Sequence, residues 1–435
     1  MILVLDTITL TITKCSWLTQ RMWLRLVAKP RLRLQKSYVK ALKKLQKIIS
    51  LTIILISVIV LPNAFAEINV ETVLDNLKNP WELEFAPDGT IFFTERDGKL
   101  WVIDNESTLQ LVAEFPASNT AEGGLLGLEL DPDYENNHFL YLYQTYLDIP
   151  THQNKVVRYT VNNNQLTDEL VLIDKIPGAL WHDGGRIKFG PDEMLYITTG
   201  DATNANLSQD TASLAGKILR INSDGTVPSD NPFNSPVFSY GHRNPQGLAW
   251  NENGILVSSE HGPSGERGYA HDEINVIERG KNYGWPIIVG DSNDIVYTNP
   301  ILHSGDITWA PSGLLYYYSD KIPEWKGKFL VATLRGEHVM VLDLDLENGM
   351  VNSAEKIFQG DYGRIRNLVQ SPDGDVFMLT SNNDNDKILQ ISTLETIPLS
   401  VEANERSTTS NDYLLYVIIT AIITGILIVI WRKKS

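Results

Sequence analysis

The stretch Trp81-Glu-Leu-Glu-Phe-Ala-Pro-Asp-Gly-Thr-Ile-Phe-Phe-Thr94 decides the fold. An apolar run enters a Pro-Asp-Gly corner, and a β-prone run leaves it and ends in a small polar residue. Proline presets φ at the first position of the corner and glycine accepts a positive φ at the last, so the segment predicts a tight β-hairpin. The unit returns five times. It reads Gly127-Leu-Glu-Leu-Asp-Pro-Asp-Tyr134 leading into Phe139-Leu-Tyr-Leu-Tyr143, then Arg186-Ile-Lys-Phe-Gly-Pro-Asp-Glu-Met-Leu-Tyr-Ile-Thr-Thr199. A fourth copy is Gly247-Leu-Ala-Trp-Asn-Glu-Asn-Gly-Ile-Leu-Val-Ser-Ser259. A fifth pairs Gly313-Leu-Leu-Tyr-Tyr-Tyr318 with Lys328-Phe-Leu-Val-Ala-Thr333, and the sixth spans Asn367 to Thr380 around Ser371-Pro-Asp-Gly374. Six self-similar units spaced roughly 50–65 residues apart, with about four strands each, predict an all-β, six-bladed β-propeller over residues 67–393. A pair of β-sandwiches would use the strands but not explain the repetition. Patterns suited to a long amphipathic helix are almost absent from this range.

The two ends read differently. Residues 1–48 hold eleven Lys/Arg against one acid, Asp6; the apolar run Ile48–Leu61 follows, then Pro62-Asn63-Ala64-Phe65-Ala66. A basic flank, an apolar core and a small-residue site predict a signal peptide, residues 1–66, cut after Ala66. An uncleaved N-terminal anchor is the other reading, and a start further downstream, at Met22, fits the long basic stretch. Residues 394–412 are mostly polar and suit a flexible stalk. Tyr413 to Trp431 is nineteen residues without a charge, long enough to span a bilayer as one helix. The basic tail 432–435 belongs on the cytoplasmic side, which places the propeller outside, tethered to the cell membrane by a single pass.

Composition narrows the function. The chain of 435 residues carries a net charge of −16, and residues 67–435 alone hold 26 cations against 52 acids. So acidic a body is a poor partner for nucleic acid. The sole cysteine, Cys15, lies in the leader, so the body has no disulfide, thiol chemistry or Cys-ligated metal, and its stability rests on an apolar core.

Loops of a propeller converge at one end of its channel, and several segments here are too polar and Gly-rich for plain turns. They are Trp181-His-Asp-Gly-Gly-Arg186 with Thr199-Gly-Asp201, and Tyr240-Gly-His-Arg-Asn-Pro-Gln-Gly247. Next come Ser259-Glu-His-Gly-Pro263, His271-Asp-Glu-Ile-Asn275 and Lys281-Asn-Tyr-Gly-Trp-Pro286. Thr333-Leu-Arg-Gly336 and Gly363-Arg-Ile-Arg366 complete the set. Together with Gly123-Gly-Leu-Leu-Gly127 they resemble, in the same order, the signature set of the soluble aldose sugar dehydrogenases that depend on pyrroloquinoline quinone (PQQ). The resemblance covers roughly residues 75–393.

That resemblance implies PQQ and Ca²⁺ as cofactors, a sugar as substrate and an external electron acceptor. It implies that Arg243, Asn244, Arg335, Arg364 and Arg366 contact the quinone; guanidinium groups fork onto carboxylates, though any one of them taken alone could be a rim ion pair. The family usually has Lys where Arg335 stands. The carbonyls of Gly262 and Pro263 would hold Ca²⁺ over the quinone, and Glu273 with the Tyr283 carbonyl a second, structural Ca²⁺. His182 matches the base that takes a proton from the sugar, and Asp201 the carboxylate that orients it. His242 competes for that role but better suits buttressing Arg243 and Asn244. Glu122 stands where the family commonly has Gln, and a carboxylate there repels a tricarboxylate unless protonated or paired. Two other functions stay open: a non-catalytic anchored propeller that binds carbohydrate or protein, and a metal-dependent lactonase. The first predicts that His182→Ala changes nothing; the second predicts lactone hydrolysis without an electron acceptor.

Overall fold

In the computed structural model, residues 68–117, 121–263 and 270–393 are described, together with 40, 41 and 43–47. The last group is helical and belongs to a separate unit, residues 1–65. The predicted cleavage site, the stalk 394–412, the span 413–431 and the tail 432–435 lie outside the described residues. Among the described residues no helix is long and apolar enough to cross a membrane.

Each repeat forms the first hairpin of a four-stranded antiparallel sheet, and there are six such sheets. Blade 1 spans 80–114, blade 2 125–178, blade 3 187–240, blade 4 245–303 and blade 5 311–357. Blade 6 is built from both ends. Its three inner strands lie in 365–393, and its outermost strand is Ile68–Leu77, antiparallel to Asp386–Thr393 with Ile68 opposite Thr393 and Leu77 opposite Asp386. The ring is thereby closed by hydrogen bonds between the two ends of the propeller, and blades 1 and 6 also touch through their first strands.

The Pro-Asp-Gly corners behave as their residues dictate. In blade 1 the Ala86 N–H donates to Thr90 O (2.8 Å), the Gly89 N–H donates to Ala86 O (2.9 Å), and Gly89 takes φ +90°. Blade 6 repeats this with Gly374 at φ +87°. Blade 3 has Glu193 at the same corner, held at φ +60°.

The core is six apolar clusters, one in each seam between neighbouring blades. Phe92, Leu100 and Val102 of blade 1 meet Leu128, Leu140 and Val157 of blade 2. Tyr141 and Val156 of blade 2 meet Ile187, Ile197 and Leu219 of blade 3, and the remaining four seams are built alike. Each fully buried Leu, Ile or Val contributes roughly 1.5–3 kcal/mol. Outer strands such as Leu109–Glu114 and Met350–Ile357 are mostly exposed, whereas the second strands of blades 3, 4 and 6 are buried throughout.

Antiparallel strands fix where each loop emerges. Connections between blades, and those between the second and third strands of a blade, share one face. The Pro-Asp-Gly corners lie on the other.

Candidate active site

That parity gathers the polar segments. Glu122 lies between blades 1 and 2, His182 between 2 and 3, Arg243 and Asn244 between 3 and 4, and Arg364 between 5 and 6. Asp201, Gly262, Pro263 and Arg335 follow second strands. All are therefore on the same face, with Arg366 one residue into the first strand of blade 6 and Glu273 opening the third strand of blade 4. Tyr283 and Trp285 sit in a connection that starts on the far face. It climbs back because the Tyr283 N–H donates to Tyr240 O and the Trp285 N–H to Gly241 O, both 2.9 Å.

A cavity of about 310 Å³ opens here, lined by Arg96, Glu122, Trp181, Gln246, His261, Arg335, Arg364 and Arg366 among others. Its floor is rigid. The Arg366 guanidinium donates to Gln246 Oε1 (2.9 Å) and Ser312 Oγ (3.2 Å), and below it Arg186 pairs with Glu82 and stacks 4.1 Å from the Trp81 ring. Burial, and then the neighbouring cations Arg96, Arg364 and Arg186, drive the Arg366 pKa well below the ordinary arginine range. Among the described residues, the buried Nε atoms of Arg96 and Arg243 and the Nε2 of His261 have no hydrogen-bond partner. Crowded cations with spare donors suit a planar polyanion, so the donor set fits a tricarboxylate such as PQQ. A larger hollow of about 500 Å³ lies among turns of the far face, around Asp88, Tyr134, Glu135 and His138; its lining includes no Lys or Arg and suits no such ligand.

His182, at φ +66°, follows the cavity-lining Trp181, but neither it nor Asp201, Arg243 or Asn244 is among the residues that line this cavity. Its backbone N–H donates to Glu122 Oε2 (2.8 Å), and its Nδ1 lies 2.7 Å from Asp201 Oδ1. Asp201 also accepts from the Thr203 N–H (2.8 Å) and from Trp285 Nε1 (2.8 Å). A carboxylate accepts, so Nδ1 carries a proton toward Asp201, and in the neutral imidazole that tautomer leaves Nε2 as the acceptor. Gly200 makes this contact possible: a Cβ there would collide with the His182 carbonyl.

Asn244 is buried and turned to scaffolding. Its Oδ1 accepts the Gly184 N–H (3.0 Å) and its Nδ2 donates to Glu122 Oε2 (3.2 Å). His242 is likewise buried, between Ser239 Oγ (2.8 Å) and Glu260 Oε2 (2.9 Å), and stacks on Tyr283; Glu260 in turn accepts the Arg243 N–H. It therefore supports Arg243 and lines neither site cavity.

Arg243, Glu260, Gly262, Pro263, Glu273, Tyr283 and Trp285 surround a second, much smaller space of about 10 Å³, room for one water or ion. Burial, and then the Glu260 charge, push the Glu273 carboxyl up to about 8. Among the described residues no three His, Cys, Asp or Glu side chains are placed to hold a metal. A cation here would rest on main-chain carbonyls plus single carboxylates, a donor set that fits Ca²⁺. Asp272 fixes the turn by accepting the N–H groups of Gly262 (2.9 Å), Trp309 (2.6 Å) and Ala310 (2.8 Å).

Sequence reasoning missed Arg96 altogether and gave no role to Gln246, His261 and Asp272, although these three lie in the singled-out segments. His261 lines both cavities, and burial followed by the charge of Arg243 holds its pKa well below the usual histidine range, so it stays neutral. Its position directly before Gly262-Pro263 was the available signal. Nothing in the sequence around Arg96 distinguishes it from a turn residue.

Comparison with known proteins follows the same outline. The family model described as Glucose / Sorbosone dehydrogenase matches residues 77–390. Aldose sugar dehydrogenase YliI of Escherichia coli is 30% identical over 355 residues, covering 75% of this chain and 93% of the relative. Quinoprotein glucose dehydrogenase B of Acinetobacter calcoaceticus is 36% identical over 278 residues, 54% of this chain and 57% of the relative. The PQQ-bound aldose sugar dehydrogenase of Streptomyces coelicolor superposes with a TM-score of 0.66 at 33% identity, over 75% of this chain and 99% of that structure.

Proposed function

Since this chain belongs to the glucose/sorbosone dehydrogenase family, we propose that it oxidises an aldose at C1 to the lactone, using PQQ and Ca²⁺ and passing the electrons to an external acceptor. When bound, PQQ with Ca²⁺ supplies a polarised two-electron acceptor for the C1 hydride. Arg335, Arg364, Arg366 and Arg243 provide the guanidinium groups that hold its carboxylates, and Gly262 and Pro263 the carbonyls for the metal. A second, structural Ca²⁺ at Glu273 and the Tyr283 carbonyl would need more room than the one-ion space these residues share with Gly262 and Pro263.

The chain's own chemistry is proton transfer. His182 Nε2 takes the C1 hydroxyl proton as the C1 hydride departs, which leaves the C1=O of the lactone. Asp201 holds the imidazole by Nδ1 and stabilises the cation that forms. The proton then leaves His182 for water. The observation that carries this is the His182–Asp201 contact of 2.7 Å, one residue along the chain from Trp181 in the wall of the cationic cavity.

A titration of purified protein with PQQ, with and without Ca²⁺, tests it as aldoses are added. Saturable Ca²⁺-dependent binding, bleached by sugar, is expected; His182→Ala should still bind but lose roughly a hundred- to ten-thousand-fold in turnover. Absence of PQQ binding, or sugar-independent lactone hydrolysis, would overturn it.

Residues 1–66 as a cleaved leader, 394–412 as a stalk and 413–431 as a single membrane span, with the propeller extracytoplasmic, belong to the same proposal. Its support is the charge and hydropathy of the ends. Protease added to intact cells should degrade the propeller; full protection would refute this topology.

A further inference from the structure

We propose that Arg96 is an anion-binding residue of the cavity of about 310 Å³, whose guanidinium offsets the Glu122 carboxylate and so lets that cavity hold a carboxylated ligand. This rests on the cofactor proposed above and adds a residue that the motifs did not contain. Arg96 is the residue after the second strand of blade 1, and it is tied to the segment that carries Glu122. Its Nη1 donates to Ala121 O (2.9 Å), and its carbonyl accepts the Leu125 N–H (3.2 Å). Arg96 and Glu122 line the same cavity, and among the described residues the buried Arg96 Nε has no partner.

Glu122 is fixed for a structural reason. Its Oε2 receives both the His182 N–H and the Asn244 Nδ2, so it holds the turn that aims the base. An anion in that position opposes any carboxylated ligand. Four guanidinium groups line the cavity, those of Arg96, Arg335, Arg364 and Arg366, against the one carboxylate of Glu122. Burial lowers the Arg96 pKa, and the Glu122 charge is the foremost influence opposing that shift, so the two groups lie within mutual electrostatic reach. The repulsion expected from a Glu at this position is thus met by a cation from blade 1, the blade that the Glu122 connection leaves.

The test is a PQQ titration of the apo protein, following ligand absorbance, for wild type, R96Q, R96K, E122Q and R96Q/E122Q at several salt concentrations. R96Q should raise Kd about tenfold or more and flatten its salt dependence, while R96K stays within a few-fold of wild type. E122Q should bind no more weakly, and the double variant should recover most of the loss. R96Q with wild-type affinity and salt dependence would overturn the proposal, as would a double variant no better than R96Q. Benzene-1,3,5-tricarboxylate, which carries the charge without the quinone, separates the two ideas. Binding of that probe through Arg96 in a protein that ignores PQQ would remove the quinone and leave the anion site standing. A wild type that binds neither would refute the anion site.

Discussion

Trp285 Nε1 donates to Asp201 Oδ2 across 2.8 Å, although 84 residues separate them in the chain. The same carboxylate holds His182 Nδ1 through its other oxygen. Asp201 is therefore fixed from both sides, and the imidazole inherits that orientation. Asp201→Asn presents an NH₂ to Nδ1 and favours the tautomer with Nε2 protonated, which is no base. Turnover should fall roughly a hundred- to ten-thousand-fold with little change in PQQ affinity. Trp285→Phe removes one donor and should cost about tenfold in kcat. Steady-state kinetics beside a PQQ titration checks both; wild-type turnover in Asp201→Asn would exclude His182 as the base.

Asp183, the neighbour of His182, is buried and carries a pH signature. Desolvation pushes its carboxyl up to about 6, opposed by hydrogen bonds from Asn154 Nδ2 and the Ala179 N–H (both 3.1 Å). The folded state then binds more protons than the unfolded state between the unfolded value of 3.8 and about 6. Its contribution is complete below that window and is lost as pH rises through it, by about 3 kcal/mol at most. Asp183→Asn should flatten denaturant stability between pH 4 and 6 and gain about 1–2 kcal/mol at pH 7.5. An unchanged pH profile would show that another group governs this window.

Glu193 occupies the corner where blades 1 and 6 place glycine. It is exposed and held at φ +60°, a region costly for a residue with a Cβ. Glu193→Gly should raise stability by about 0.5–1 kcal/mol and Tm by about 1–2 °C. A lower Tm on calorimetry would mean that the side chain does something its exposure hides.

The strand Ile68–Leu77 closes the ring, and Leu77 is buried among Leu83, Phe377 and Ile388. A chain beginning at residue 67 should fold cooperatively. One beginning at Asn79 leaves the strand Asp386–Thr393 with an open edge and should lose on the order of 3–6 kcal/mol, with a tendency to aggregate. Urea unfolding of the two chains measures the difference; equal midpoints would make the closure dispensable.

The blades were legible because each hairpin is a local event. Pro-Asp-Gly and the alternation around it sit within fourteen residues of one another, as in Trp81–Thr94, so pattern and turn chemistry suffice. Arg335, Arg364 and Arg366 were legible for a different reason: the first two stand in polar, Gly-rich loops that a plain strand turn does not need, and Arg366 enters the strand directly behind the second. Arg96 was not, because a single Arg after a strand looks like an ordinary surface residue until its neighbours are known, and Asp272, though inside a singled-out segment, showed no role until its three backbone donors were placed.

The amino-acid sequence by itself determined the hairpins, their number and the loops that bear the chemistry, all consequences of short-range sterics and hydrophobic periodicity. Tertiary structure alone decided that the first strand completes the last blade, that Trp285 returns across blade 4 to hold Asp201, and that Arg96 stands against Glu122. The first depends on ring closure and the other two on the packing of neighbouring blades, which bring together residues tens to hundreds of positions apart. No local preference of the chain encodes which of them will share a wall.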